Sequence, residues 1–349
     1  MPAKPPQPNL RLHLDAGALA ANWRALDAMS GSAAAGAAVK ANAYGTGVVF
    51  AVPVLRDAGC RHFFIAHWGE VAGLLPHVPA GQVFVLHGPL DRADADYARS
   101  TGVLPVINSV HQARVWDEAG GGACALMLDS GINRLGVSVA ELDDPAVAAL
   151  EVAAFMSHLA SADEESEQNA SQLAMFEKAR CRFPKATHSL ANSAGIALGA
   201  DYAFDLTRPG LSLYGGVPRP ELAGKIRQVV QPQAQVIQTR NIQSGDRVGY
   251  NGTFTANRDM RVGTVCLGYA DGFLRFWGGA GYLRTDGRRL ALLGKVSMDM
   301  VVVDLTDAPN VGEGDWLDVP FDLPQAARTT GLSQYELLTL LGHRYARNR

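Results

Sequence analysis

The chain has 349 residues, 48% of them hydrophobic and 19% charged, which is enough apolar material for a large core and excludes a disordered chain. Its 31 basic and 34 acidic residues leave a net charge of −3, so no basic excess points to nucleic acid or anionic lipid. No apolar run reaches the ~18 residues that span a bilayer, and Met1 to Asn9 is Pro-rich and polar rather than a signal peptide, so a cytoplasmic protein is expected.

From about residue 10 to 215, short apolar runs alternate with Ala-rich amphipathic stretches. The first run, Leu10–Leu14, precedes Asp15, which can cap a helix carrying Leu19, Trp23 and Leu26 at helical spacing. Eight further runs read as strands: Ala37–Val39, His62–Ala66, Val83–Leu86, Val103–Ile107, Ala123–Leu128, Val152–Met156, Thr187–Leu190 and Leu211–Leu213. They are nearly continuous in apolar residues, as strands buried on both faces are. A helical pattern over 164–180 places Leu173 and Phe176 on one face. Eight strands alternating with helices over ~200 residues predict an α/β fold, a (β/α)8 TIM-type barrel. A doubly wound open sheet is the alternative, and it usually stops at fewer strands. After residue 225 the runs Gln235–Gln238, Arg261–Cys266, Leu290–Leu293 and Met300–Leu305 recur between Gly-bearing turns, which predicts a mostly β domain. Ser333 and Glu336 form an S-x-x-E capping box ahead of a Leu-rich helix. The expected domains are thus a barrel over 10–225 and a β domain over 226–349, with strand 10–14 a candidate to pack on the latter.

The candidates for chemistry are few. Cys60, Cys124, Cys181 and Cys266 form no CxxC pair, and the nine histidines show no metal-ligand spacing. Only six residues are lysines. One of them, Lys40, ends the first barrel strand, where barrel active sites form. Desolvation there disfavours the ammonium and makes a Schiff-base amine; a lysine snorkelling at a strand end fits the segment equally well.

The segment Val39-Lys40-Ala41-Asn42-Ala43-Tyr44-Gly45-x-Gly47 resembles the pyridoxal-phosphate attachment motif of alanine racemases. Further pieces follow in order: Leu128 to Gly136, Ser157 to Asp163, Ala191 to Gly195, Arg208 to Gly215, Val248 to Phe254, Gly268 to Phe273 and Val296 to Asp299. The resemblance covers about residues 10 to 347, and the joint order is far more specific than any one piece. It implies pyridoxal 5′-phosphate as cofactor and two-base interconversion of L- and D-alanine, through an aldimine of the substrate, supplying D-alanine for peptidoglycan. Lys40 would carry the cofactor and serve as one base. Tyr250 would be the other, contributed by the partner of a head-to-tail homodimer. Arg208 would donate to the pyridine nitrogen, with His158 supporting it. Tyr44, Asn192, Ser193, Gly210 and Leu211 would hold the phosphate. Arg134, Met298 and Asp299 would bind the substrate carboxylate, while Tyr269, Asp271 and Arg275 would line the entrance.

The match departs at four places. Met127 stands where many members carry a carbamylated lysine bracing the arginine at 134, so another anion serves there or Arg134 is held differently. Thr46 replaces a common histidine, Ser297 a common cysteine, and Arg349 a tyrosine close to the phosphate. A racemase of broader amino-acid range and a non-catalytic cofactor-binding barrel are the rival readings. A decarboxylase needs a protonated pyridine, against which Arg208 argues.

Overall fold

Buried apolar residues build the barrel. The computed structural model describes residues 6–348. Backbone contacts divide the chain into two units, one over 16–227 and one joining residues up to 15 with 228–349. Strand β1 (Leu10–Leu14) belongs to the second of these. Helix α1 (Ala16–Met29) opens the first, with Leu19, Trp23 and Leu26 buried.

The first unit is a (β/α)8 barrel. Its first stave is split into β2 (Ala34–Ala35) and β3 (Ala37–Ala38) by Gly36, where a Cβ would sit 2.8 Å from the Phe64 ring. Then come β4 (Phe63–Ile65), β5 (Val83–Val85), β6 (Leu104–Ile107), β7 (Ala123–Met127), β8 (Glu151–Met156) and β9 (Thr187–Ser189). From β3 to β9 they pair in sequence order, all parallel. The last stave is β10 (Leu206–Thr207), parallel to β2. The N–H groups of Gly36 and Ala38 donate to the carbonyls of Thr207 and Pro209, at 2.8 and 2.9 Å, while Arg208 N–H donates to Ala191 on the other side at 2.8 Å. The ring therefore closes. Every residue of β4 and β5 is buried, and Phe64 stacks on Phe84 with centroids 4.9 Å apart.

Two elements differ from the sequence reading. The eighth stave lies at Leu206–Thr207, five residues before the expected Leu211–Leu213, which instead forms a 3-10 turn over Leu211–Tyr214. Pro209 has no N–H to extend a ladder, and Gly210 turns the chain out of the sheet. The helix expected over 164–180 begins only at Glu167, where the Ser166 hydroxyl caps it by accepting from Gln168 N–H.

The second unit is mostly β. Its strands are β1, β11 (Val230–Ile242), β12 (Arg247–Val248), β13 (Phe254–Thr255), β14 (Met260–Val265), β15 (Tyr282–Thr285), β16 (Arg288–Leu293), β17 (Val301–Asp304), β18 (Trp316–Asp318) and β19 (Ala346–Asn348). The long β11 alternates buried and half-buried residues through its first half. That half pairs with β18 on one side and β1 on the other, and after an irregularity at Val236–Gln238 the second half pairs with β14. The order β14-β17-β16-β15-β18-β11 thereby closes on itself as an antiparallel barrel. Strand β1 pairs antiparallel with β11 and parallel with β19. Ser333 and Glu336 form the capping box of the helix Gln334–Thr339. No described helix is long and apolar enough to cross a membrane.

Candidate active site

Lys40 follows the β3 stave after one residue, Val39, and the chain then makes a left-handed turn without glycine. Ala41, Asn42, Ala43 and Tyr44 all have φ of 52–53°, a region costing roughly 1–2 kcal/mol for each residue bearing a Cβ. Gly45 and Gly47, also at positive φ, only complete the turn. Hydrogen bonds hold the strained loop from several sides. Gly45 N–H donates to Ala41 O at 3.0 Å and Gly47 N–H to Asn42 O at 2.9 Å, while Asn42 Oδ1 accepts from Val48 N–H at 3.0 Å. Glu70 is the outer clamp, accepting from Ala41 N–H at 2.6 Å and from Ala66 N–H at 2.7 Å. Lys40 is left at the C-terminal end of the barrel strands. Burial lowers its pKa first, Arg134 and Arg208 lower it further, and Glu70 opposes them. The balance weakens the hold of the amine on its proton and shifts it toward the nucleophilic form.

Arg208 follows β10 and is buried. Its described partners are all neutral: the hydroxyl of Ser189 and the carbonyls of Ser157 and Leu190. Burial lowers its pKa to about 10, which still leaves it charged at neutral pH. His158, after β8, has its pKa lowered to about 3 by burial and then by the positive charges of Arg208, Arg134 and Lys40. It is a neutral ring among cations. No described hydrogen bond joins it to Arg208; the cationic side chain rests instead on Ser157 and Ser189.

A pocket of small donors lies beside these groups. The Ser193 hydroxyl accepts from Gly210 N–H at 2.9 Å and from Ser212 N–H at 3.2 Å, which ties the 3-10 turn beginning at Leu211 to the helix Ser193–Ala197. Asn192 caps that helix through its side chain, accepting from Gly195 N–H at 2.9 Å. Tyr44 stacks on Tyr214 at 4.9 Å, and a Cβ on Gly210 would strike the Tyr44 hydroxyl. Ser212 Oγ is buried with no hydrogen-bond partner among the described residues. Arg134 is exposed, in a loop that Asp129 organises by accepting from three successive N–H groups, those of Gly131, Ile132 and Asn133. Met127 is buried at the end of β7 and offers Arg134 no charge.

In the second unit the remaining candidates sit on adjoining turns. Tyr250, 66% exposed, stands between Gly249 and Asn251, both at positive φ. Tyr269 and Ala270 donate their N–H groups to the carbonyls of Ser297 and Met298, at 3.1 and 3.0 Å. A Cβ on Gly268 would collide with the Met298 carbonyl. The Arg275 guanidinium lies 5.4 Å from the centroid of the Tyr269 ring. Asp271 and Asp299 are both ion-paired to Arg344, each at 2.7 Å. Arg349 lies outside the described residues. Sequence reasoning missed Glu70, Ser189 and Arg344, which lie in no motif, and gave Ser157 no role although it opens one of the matching pieces.

Comparison with known proteins decides the class. The family described as alanine racemase, N-terminal domain, matches residues 14–218, and alanine racemase, C-terminal domain, matches 229–349. The chain belongs to the alanine racemase family. An alanine racemase of Rhizobium meliloti (strain 1021) is 39% identical over 363 residues, covering 97% of this chain and 96% of that one. One from Rhodospirillum rubrum is 41% identical over 96% of this chain and 94% of its own. The crystal structure of alanine racemase from Bartonella henselae, described with covalently bound pyridoxal phosphate, superposes with a TM-score of 0.91 at 32% identity, covering 98% of this chain and 99% of that one. This racemase chain carries the family's barrel and β domain alike.

Proposed function

We propose that this chain interconverts L- and D-alanine with pyridoxal 5′-phosphate. The observation that carries the reading is the barrel mouth: an amine of lowered proton affinity beside a buried arginine and a hydroxyl-and-amide pocket, in a chain of this family. These residues fit the cofactor. Lys40 is the amine to bind it covalently. Ser193, the backbone of Gly210 and Leu211, Tyr44 and the Asn192-capped turn make a phosphate seat into which no protein Cβ intrudes at Gly210. The Arg208 guanidinium, committed to no described carboxylate, would be the donor for the pyridine nitrogen.

When bound, the cofactor supplies the electron sink that makes an amino acid's Cα–H acidic. Arg208 keeps its proton at neutral pH, so it would offer the ring nitrogen a hydrogen bond without giving up that proton, which would favour simple proton exchange over transamination. Lys40 Nζ takes and returns a proton at one face of Cα, and the Tyr250 hydroxyl does so at the other. Arg134 and the Met298–Asp299 segment bind the substrate carboxylate, and Tyr269 lines the approach. His158, neutral, packs at the ring without adding charge. Tyr250 comes from the second copy of a head-to-tail homodimer, so each site is shared. The D-alanine formed in the cytoplasm would feed bacterial peptidoglycan. Met127, which leaves Arg134 without a carbamate partner, favours a second reading of the same chemistry with a broader range of amino acids.

The test is cofactor-loaded protein given L-alanine in heavy water, beside Lys40→Ala and Tyr250→Phe. D-Alanine with deuterium at Cα is expected, abolished in the first variant and strongly reduced in the second. A yellow, cofactor-bound protein that forms no product and exchanges no Cα proton overturns the reading; product from other amino acids at comparable kcat/KM establishes the broader one.

A further inference from the structure

We propose that Arg344 is a positioning residue that fixes Asp299 and balances its charge, and so sets which amino acids the Met298–Asp299 segment admits. The inference rests on the reading that this segment meets the substrate carboxylate.

Three stretches distant in sequence meet at this arginine. Its Nε donates to Asp271 Oδ1 and its Nη1 to Asp299 Oδ1, each at 2.7 Å. The two carboxylates are held very differently. Asp271 is 1% exposed, and its second oxygen accepts from Gly268 N–H at 2.9 Å. Asp299 is half-exposed, and Arg344 is its only described side-chain partner. Asp271 is thus the anchor, Arg344 the link and Asp299 the end that is held. The main chain reinforces the link, because the 269–270 amides bond to the 297–298 carbonyls. A planar guanidinium presents two donors in a fixed fork; a lysine ammonium does not.

The charge count gives the link a second role. Two carboxylates and one guanidinium leave the Arg344 cluster itself with one net negative charge, which the Arg275 guanidinium, donating to Val296 O at 3.4 Å, offsets from the far side of the segment only in part. Such a site repels a substrate with an acidic side chain and tolerates the carboxylate of a zwitterion only while Arg344 is present. Without Arg344, Asp299 stands unscreened beside the backbone donors and competes with the substrate for them.

The experiment uses the cofactor-loaded full chain with Arg344→Met, Arg344→Lys, Asp299→Asn and the double variant Arg344→Met/Asp299→Asn, assayed on alanine, aspartate and lysine. Arg344→Met is expected to raise KM for L-alanine about tenfold while kcat changes less than about threefold, the pattern of lost uniform binding. The double variant is expected to recover most of that KM, because the stranded charge has gone, and Arg344→Lys to lie between. Asp299→Asn keeps the Arg344–Asp271 pair and so tests the idea without risk to the fold: discrimination against aspartate relative to alanine should fall about tenfold. Unchanged KM in Arg344→Met together with unchanged discrimination in Asp299→Asn overturns the inference, as does a KM defect in Arg344→Met that the second substitution leaves in place. Absence of any alanine racemisation in the unaltered chain overturns the functional reading instead, so the two failures are distinguishable.

Discussion

At the scale of single residues, the barrel mouth gathers positive charge around groups that work uncharged. His158 shows the consequence for stability. An unfolded chain binds a proton on this ring below about pH 6.5, whereas the folded chain does so only near pH 3. Between those values unfolding takes up a proton, so stability is lost as the pH falls through that window. The urea midpoint of the apoprotein is expected to drop more steeply from pH 6.5 toward pH 3 than that of His158→Gln. Parallel curves for the two proteins would show that the ring titrates normally. Lys40, Tyr250 and Arg208 could be singled out as candidates from the sequence because each sits inside a short run that matches a piece of the family pattern. Glu70 and Arg344 were not, since an isolated acid or arginine shows its importance only through a partner: Glu70 holds Ala41, 29 residues away, and Arg344 holds Asp271, 73 residues away. His158 was expected to brace Arg208, and Ser157 and Ser189 supply the described contacts instead.

At the scale of elements, continuous apolar runs revealed the staves, and turn chemistry decided the exceptions. Leu211-Ser212-Leu213 alternates as a strand does, yet it forms a 3-10 turn because Pro209 and Gly210 have already taken the chain out of the sheet. The left-handed turn after Lys40 was hidden for the opposite reason, since alanine has no preference for that region and signals nothing. Its strain can be measured. Ala41 is exposed at φ 53°, so Ala41→Gly relieves about 1–2 kcal/mol of backbone strain against about 0.5–1 kcal/mol of added chain entropy. The thermal midpoint of the apoprotein should rise by roughly 2–4 °C for each kcal/mol gained. A midpoint that stays put or falls would mean that the surrounding hydrogen bonds, rather than glycine's freedom, already accommodate the turn.

At the scale of the molecule, the residues assigned to chemistry divide between the two units, with Lys40, Arg134 and Arg208 on the barrel and Tyr250, Met298 and Asp299 on the β unit. A site shared between two copies makes a prediction that a site within one chain does not. On the proposed head-to-tail dimer, mixing Lys40→Ala with Tyr250→Phe under conditions that exchange subunits should restore about a quarter of the unaltered activity, because half the dimers would be mixed and each of those would hold one intact site. No recovery, with exchange verified by mass, would place both bases in one chain. The pairing of β1 bears on a different matter, the order of events during synthesis. The first described strand finds its partners only in β11 and β19, the latter at residues 346–348. At ribosomal speeds of about 5–20 residues per second, β1 emerges from the ribosome roughly ten to forty seconds before β11 is complete. While the barrel is being made, the leucine face of this strand, Leu10, Leu12 and Leu14, therefore has no sheet to enter, and its second neighbour arrives only with the last strand of the chain.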